Sequence, residues 1–196
     1  TSVTIIPVKE VSAVAGVTDA ITPKYPEDIT LDEETTNSDG SKTLKLVSGT
    51  TELDMDMKTD GTVSSTLKTD DGSESKVNIP IGAEVNMNKD ASLSVSMSLD
   101  SGVTLSTNIS TEGDMTVGVT SGSIGANVKA PKGSEVIIGI DGTSSIALPA
   151  STDATSGVTS QVVSTLSPDG STLTEITMSG GIGRTTHAGS SESSNS

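Results

Sequence analysis

Residues 93–119 read LSVSMSLDSGVTLSTNISTEGDMTVGV, and this stretch decides the fold class. Apolar side chains fall on every second position: Leu93, Val95, Met97 and Leu99, then Val103 and Leu105, then Ile109, and finally Met115, Val117 and Val119. The positions between them are Ser, Thr, Asn, Asp, Glu or Gly. A period of two is the signature of strands with one buried face, because successive side chains of a strand point to opposite sides. Asp100-Ser101-Gly102 and Thr111-Glu112-Gly113 interrupt the alternation. Each puts glycine third in a three-residue loop, where a type I turn followed by a bulge needs a positive φ. Folded about these loops, Leu99 meets Val103, Met97 meets Leu105, Leu93 meets Ile109, and Ile109 meets Met115, so every pair shares a face as hairpins require.

The same rhythm extends outward over residues 47–150. Gly61, Gly72, Gly82, Gly102, Gly113, Gly122, Gly133 and Gly142 punctuate the chain, with Ala91 in the one gap, at a mean spacing of about ten residues. A loop at Thr59-Asp60-Gly61 pairs Met57 with Val63 and Leu53 with Leu67. One at Pro131-Lys132-Gly133 pairs Val128 with Val136 and Ala126 with Ile138. Between Val119 and Ile124 the parity flips, and a two-residue Ser121-Gly122 turn restores it. The expected fold is therefore all-β: about ten short strands in an antiparallel up-and-down meander that closes as a barrel or sandwich. A two-sided β-solenoid with rungs of about 20 residues is the alternative that tolerates the same spacing. Pro80 marks an edge or a bulge near Ile81-Gly82.

The flanks differ in composition. Residues 1–46 read as an N-terminal extended arm, apolar around Val3, Ile5, Ile6 and Val8, followed by an acidic, proline-containing linker with Asp32-Glu33-Glu34. Residues 151–180 suggest an additional hairpin around Ser167-Pro168-Asp169-Gly170. Residues 181–196 form a Gly/Ser-rich tail with the composition of a flexible segment.

Composition narrows the function. The 196 residues contain no Phe, Trp or Cys and a single Tyr, and nearly a third are Ser or Thr. Disulfide stapling and cysteine zinc sites are excluded, and the core must be built from aliphatic side chains and Met. The net charge is −15, and Arg184 is the only arginine. That argues against nucleic acid, which needs clustered Lys and Arg, and against an anionic membrane surface. No apolar run approaches the ~18 residues of a membrane-spanning helix.

Catalytic chemistry finds few carriers. His187 is the only histidine and lies in the tail, without the rigid shell that a triad imidazole needs. Asp100-Ser101-Gly102 spells the aspartic-protease triplet, but only once, whereas those enzymes pair two carboxylates. Asp54, Asp56 and Asp60 are the candidate calcium ligands, set against the alternative of a solvated acidic face. No cofactor is expected other than calcium at these residues. Asn108-Ile109-Ser110 is a glycosylation sequon.

Together these observations point to a structural, non-catalytic protein. Its composition and turn rhythm resemble those of repetitive surface fibres and adhesins. The expected role is a secreted or cell-surface filament subunit or adhesin, its leader already removed. It would assemble with copies of itself through sheet edges and the strand carrying Val3, Ile5, Ile6 and Val8. A viral tail-fibre or spike segment is the second reading. A calcium-, glycan- or ice-binding module, with surface glycans as partners, is the third.

Overall fold

The computed structural model describes residues 8–180 and 184–192. Every regular element among them is a strand. In chain order they are β1 (Val8–Glu10), β2 (Lys24–Pro26), β3 (Thr30–Thr36), β4 (Lys42–Ser48), β5 (Thr51–Met57) and β6 (Val63–Lys68). Then come β7 (Glu74–Ile79), β8 (Glu84–Met87), β9 (Leu93–Ser98), β10 (Val103–Ile109), β11 (Met115–Ser121) and β12 (Ile124–Ala130). The last six are β13 (Glu135–Ile138), β14 (Ser144–Ala147), β15 (Ser151–Thr152), β16 (Val158–Leu166), β17 (Thr172–Gly180) and β18 (Arg184–Glu192).

The strands form two open sheets in a sandwich-like arrangement, not a closed barrel. The smaller has the order β1-β2-β8-β9-β10-β11-β12. The larger runs β18-β17-β16-β14-β13-β7-β6-β5-β4-β3, with β15 on the flank of β16. The expected cross-strand pairs are present: Met97 with Leu105 and Leu93 with Ile109, Ile109 with Met115, and Met57 with Val63 and Leu53 with Leu67. Leu99 N–H donates to Val103 O at 2.8 Å and closes the β9–β10 turn. Hairpin pairing, not rung-on-rung stacking, builds the array: Val85 pairs with Val95.

The core is the apolar set anticipated by alternation. Leu44, Leu46, Leu53, Met55 and Leu67 of the larger sheet are fully buried, as are Val136 and Ile146. Met87, Leu93, Ile109, Met115 and Val117 of the smaller sheet are buried opposite them. With no aromatic residue buried, the interior is filled by branched aliphatics and by Met, whose unbranched thioether adapts to irregular gaps.

Three expectations change. The first concerns Pro131-Lys132-Gly133, which is a crossing between sheets and not a hairpin. β12 pairs with β11, and β13 leaves for the other sheet, where Val136 lies beside Val77 in a parallel pair with β7. Neither Val128 with Val136 nor Ala126 with Ile138 is paired. Parity could not separate the two cases, because a crossing also keeps both apolar faces on the common core. The chain also crosses at residues 27–29, from β2 to β3, and at Pro80-Ile81-Gly82, from β7 to β8; Pro80 is buried at its crossing and does not mark an edge. Two of the three crossings spell Pro-x-Gly-(Ala or Ser)-Glu-Val, at 80–85 and at 131–136, 51 residues apart.

The second concerns the β11–β12 turn. Ser121 pairs with Ile124 and Val119 with Ala126, so the loop is Gly122-Ser123. The parity flip is as expected, but the register sits one residue further along. Ile124 therefore stands at the mouth of the sandwich, 60% exposed.

The third concerns the flanks. Within residues 1–46, the described part is built into the sheets. β1 pairs with β2, β2 lies parallel to β8, and β3 pairs with β4. Val11, Val14 and Ile21 are buried in the core. The acidic stretch Asp32-Glu33-Glu34 forms the middle of β3, an edge strand held by backbone bonds and broken by a bulge between Leu31 and Glu33. Alternation cannot reveal a strand whose stabilising partners are peptide groups. The 151–180 hairpin is present as β16–β17. Within 181–196, β18 pairs along β17.

Candidate functional site

Turn chemistry positions the strand ends. In the β5–β6 turn, Gly61 N–H donates to Lys58 O at 3.0 Å, Lys58 N–H donates to Thr62 O at 2.9 Å, and Gly61 has φ 90°. Asp60 accepts both the Thr62 backbone N–H at 2.9 Å and its hydroxyl at 2.6 Å. The same Asp-x-(Ser or Thr) clamp recurs at Asp39–Ser41, Asp90–Ser92 and Asp169–Ser171. The hydroxyl bond, followed by the backbone N–H, holds each of these carboxyls below the ordinary aspartate value, since both bonds favour the ionised form. Glycine at the third loop position is the half of this motif that spacing alone reveals; the aspartate before it is the other half. Gly102, Gly113, Gly122 and Gly133 all take positive φ, as does Ala91 at φ 68°.

The candidate calcium ligands are each engaged elsewhere. Lys68 Nζ lies 2.9 Å from an Asp54 carboxylate oxygen. Asp56 accepts from the Thr43 hydroxyl at 3.3 Å, and Asp60 holds its turn. Asp54 belongs to a charge ladder across four strands, in which Glu33, Lys45, Glu52 and Lys68 alternate in sign. Asp54 first, and Glu52 second, push the Lys68 ammonium above its usual value. Among the described residues, no group of three or more His, Cys, Asp or Glu gathers so as to hold a metal.

The two outer faces differ. That of the larger sheet carries the charge ladder. On the smaller sheet, Ser94, Asn108 and Thr116 lie side by side, then Ser96, Ser106 and Gly118, then Ser98, Thr104 and Thr120. Across β9, β10 and β11 these rows carry no charged residue; charge enters only at the flanking strands, with Lys129 of β12 beside Thr116 and Glu84 of β8 beside Ser96. Asn108 of the sequon is exposed there on β10. His187 falls opposite Thr177 in the β17–β18 register.

The edges of the sheets hold the features relevant to assembly. Val8 of the expected assembly strand opens β1 at one edge of the smaller sheet and is 63% exposed. Val3, Ile5 and Ile6 lie outside the described residues. At the opposite edge, beside β12, lies a cleft of about 390 Å³ lined by Val103, Val119, Ile124, Ala126 and Pro168 among others. The β16–β17 turn forms its far wall: a Cβ built on Gly170 would sit 3.6 Å from the Ala126 Cβ. Beyond the cleft the larger sheet continues through β16, β17 and β18. Val162 and Ile176, paired across β16 and β17, are only half-buried there, although Leu166 on the same face of β16 is fully buried.

Sequence reading found the apolar opening segment but not the cleft. Its walls come from β10, β11, β12 and a turn more than forty residues further on, and no local pattern joins them. Comparison with known proteins adds no relative to set beside this geometry: no family model, no curated protein and no solved structure matches the chain.

Proposed function

We propose that the protein is a structural, non-catalytic module that associates with copies of itself through its sheet edges, as a secreted or cell-surface filament subunit or adhesin. The observation that carries this reading is the incomplete sandwich. The larger sheet runs on past the β12 edge of the smaller one, and Val162, Ile176 and Met178 keep partial exposure on the face that is fully buried elsewhere. An apolar sheet face is stable only when another layer covers it, and a strand edge presents peptide groups to any incoming chain. The other edge of the larger sheet supports the same reading by contrast. β3 carries three consecutive acidic residues and a bulge, two devices that discourage pairing.

Sedimentation velocity over a concentration series, with electron microscopy of the same samples, tests the proposal. Polymers or filaments are expected. A compact monomer at every concentration would refute self-assembly. A closed trimer would favour the viral-fibre reading instead.

A further inference from the structure

We propose that Asn108 is a site of N-linked glycosylation, taking a saccharide from a polyprenyl-phosphate-linked donor. The inference rests on the secreted or cell-surface reading, because this transfer acts on chains that leave the cytoplasm. Asn108-Ile109-Ser110 is the one complete Asn-x-(Ser or Thr) triplet in the sequence, and its middle residue is not the proline that blocks transfer. In the reaction a bond forms between Asn108 Nδ2 and the anomeric carbon of the saccharide. The anomeric C–O bond breaks, the lipid phosphate leaves with its electron pair, and the carboxamide gives up one proton.

The register of β10 decides which way the triplet faces. Ile109 is 1% exposed and belongs to the core, so Asn108 and Ser110 turn outward, and both are exposed. Period two thus sets the acceptor carboxamide and the hydroxyl on one side of the sheet. A shift of one residue would bury Asn108, and no saccharide would fit there. Ser110 N–H donates to Asp114 O at 2.9 Å, which holds the end of the triplet in line with the strand.

Other asparagines use their carboxamides as locks. Asn37 Nδ2 donates to Ser41 and Thr43, Asn78 Nδ2 to Glu135, and Asn88 Nδ2 to Ser92. Asn108 instead stands among short, uncharged side chains. Ser94 of β9 and Thr116 of β11 flank it, and Gly118 lies beside Ser106, its neighbour on the same face of β10. Facing residues of adjacent strands have Cβ atoms about 4.5–5.5 Å apart, so the Ser94 and Thr116 hydroxyls are within reach of the first sugar ring. The nearest charge in that row is Lys129, two strands away. The charge ladder lies on the other sheet, so an attached saccharide meets hydroxyls and separates no ion pair. β10 is interior to its sheet, and a saccharide on its outer face is compatible with association through the sheet edges.

Mass spectrometry of the chain isolated from the cells that produce it tests the proposal. Trypsin releases residues 90–129 as one peptide, since no Lys or Arg lies between Lys89 and Lys129. That peptide is expected to carry one added mass made of whole sugar residues, placed on Asn108 by electron-transfer fragmentation. Asn108→Gln and Ser110→Ala, expressed in the same cells, should each lose it, whereas Ser110→Thr should keep it. Circular dichroism establishes that each variant is folded. Loss in Ser110→Ala, which leaves Asn108 in place, marks transfer directed by the triplet. An extracellular chain whose 90–129 peptide is unmodified would overturn the inference and leave the cell-surface reading standing. Sugar retained in Asn108→Gln or in Ser110→Ala would do the same. An unmodified chain held in the cytoplasm would overturn both.

Discussion

Substituting alanine for single turn glycines separates backbone strain from crowding. Gly102 has φ 87°, and a Cβ built on it meets nothing within 4 Å. Gly102→Ala therefore reports the left-handed conformation alone, a cost of about 1–2 kcal/mol for an L-residue. Gly61 has nearly the same φ, 90°, but its Cβ would lie 2.6 Å from Val17 Cγ1 and 2.8 Å from Ile81 Cδ1. Relieving that overlap adds about 1–3 kcal/mol, for a total of about 2–5 kcal/mol. Ala91 is the internal control, with φ 68° and full burial. Ala91→Gly should recover the backbone cost but lose a buried methyl worth about 0.8 kcal/mol, leaving stability unchanged or raised by up to ~1 kcal/mol. Urea unfolding followed by circular dichroism measures all three. In thermal unfolding, Gly102→Ala should lower Tm by about 2–8 °C, at 2–4 °C per kcal/mol for a chain of this size. Equal losses at Gly61 and Gly102 would refute the crowding argument. A clear loss of stability in Ala91→Gly would refute the backbone argument.

Three further outcomes are expected. Ser75 is buried and donates its hydroxyl to Gly113 O at 2.6 Å while accepting the Gly133 N–H at 3.2 Å; Ser75→Ala should lower stability by about 1–3 kcal/mol, read from urea midpoints. The Ser65 hydroxyl is buried with no hydrogen-bond partner, so Ser65→Ala should raise stability by about 1 kcal/mol in the same assay. The turn aspartates Asp39, Asp60, Asp90 and Asp169 are held below their ordinary pKa by Ser or Thr partners, and Asp71 chiefly by Lys132. Depressed carboxyls stabilise the fold above their unfolded value of about 3.9, and that stability is lost as pH falls through the lower folded values; urea midpoints should be flat from about pH 5 to 8 and fall below about pH 4, and an unchanged midpoint at pH 2.5 would contradict this.

Much of the fold is legible in short stretches. Alternation assigns an inward and an outward face to each residue of β5–β11, because side chains alternate across any strand whatever its neighbours. Glycine at the third loop position sets the β5–β6, β9–β10 and β10–β11 turns, and thereby the pairing of Met57 with Val63, Met97 with Leu105 and Ile109 with Met115. The six-residue pattern repeated at Pro80 and Pro131 was present as well, although its meaning as a crossing emerges only when both sheets are seen.

The candidate site divides in the same way. The apolar, uncharged segment at Val3–Ile6 and the acidic stretch Asp32-Glu33-Glu34 are properties of sequence, since charge and hydropathy belong to residues and not to their positions in space. Tertiary structure alone decided that the acidic stretch forms a protected edge, because an edge strand is held by peptide groups that every residue possesses. It alone decided that the chain crosses at Pro131-Lys132-Gly133, because hairpins and crossings bury the same side chains. It alone made the cleft beside β12, where Val103, Ile124, Ala126 and Pro168 converge from distant parts of the chain. Periodicity tells each side chain which way to face, but which sheet lies in front of it is set by long-range packing.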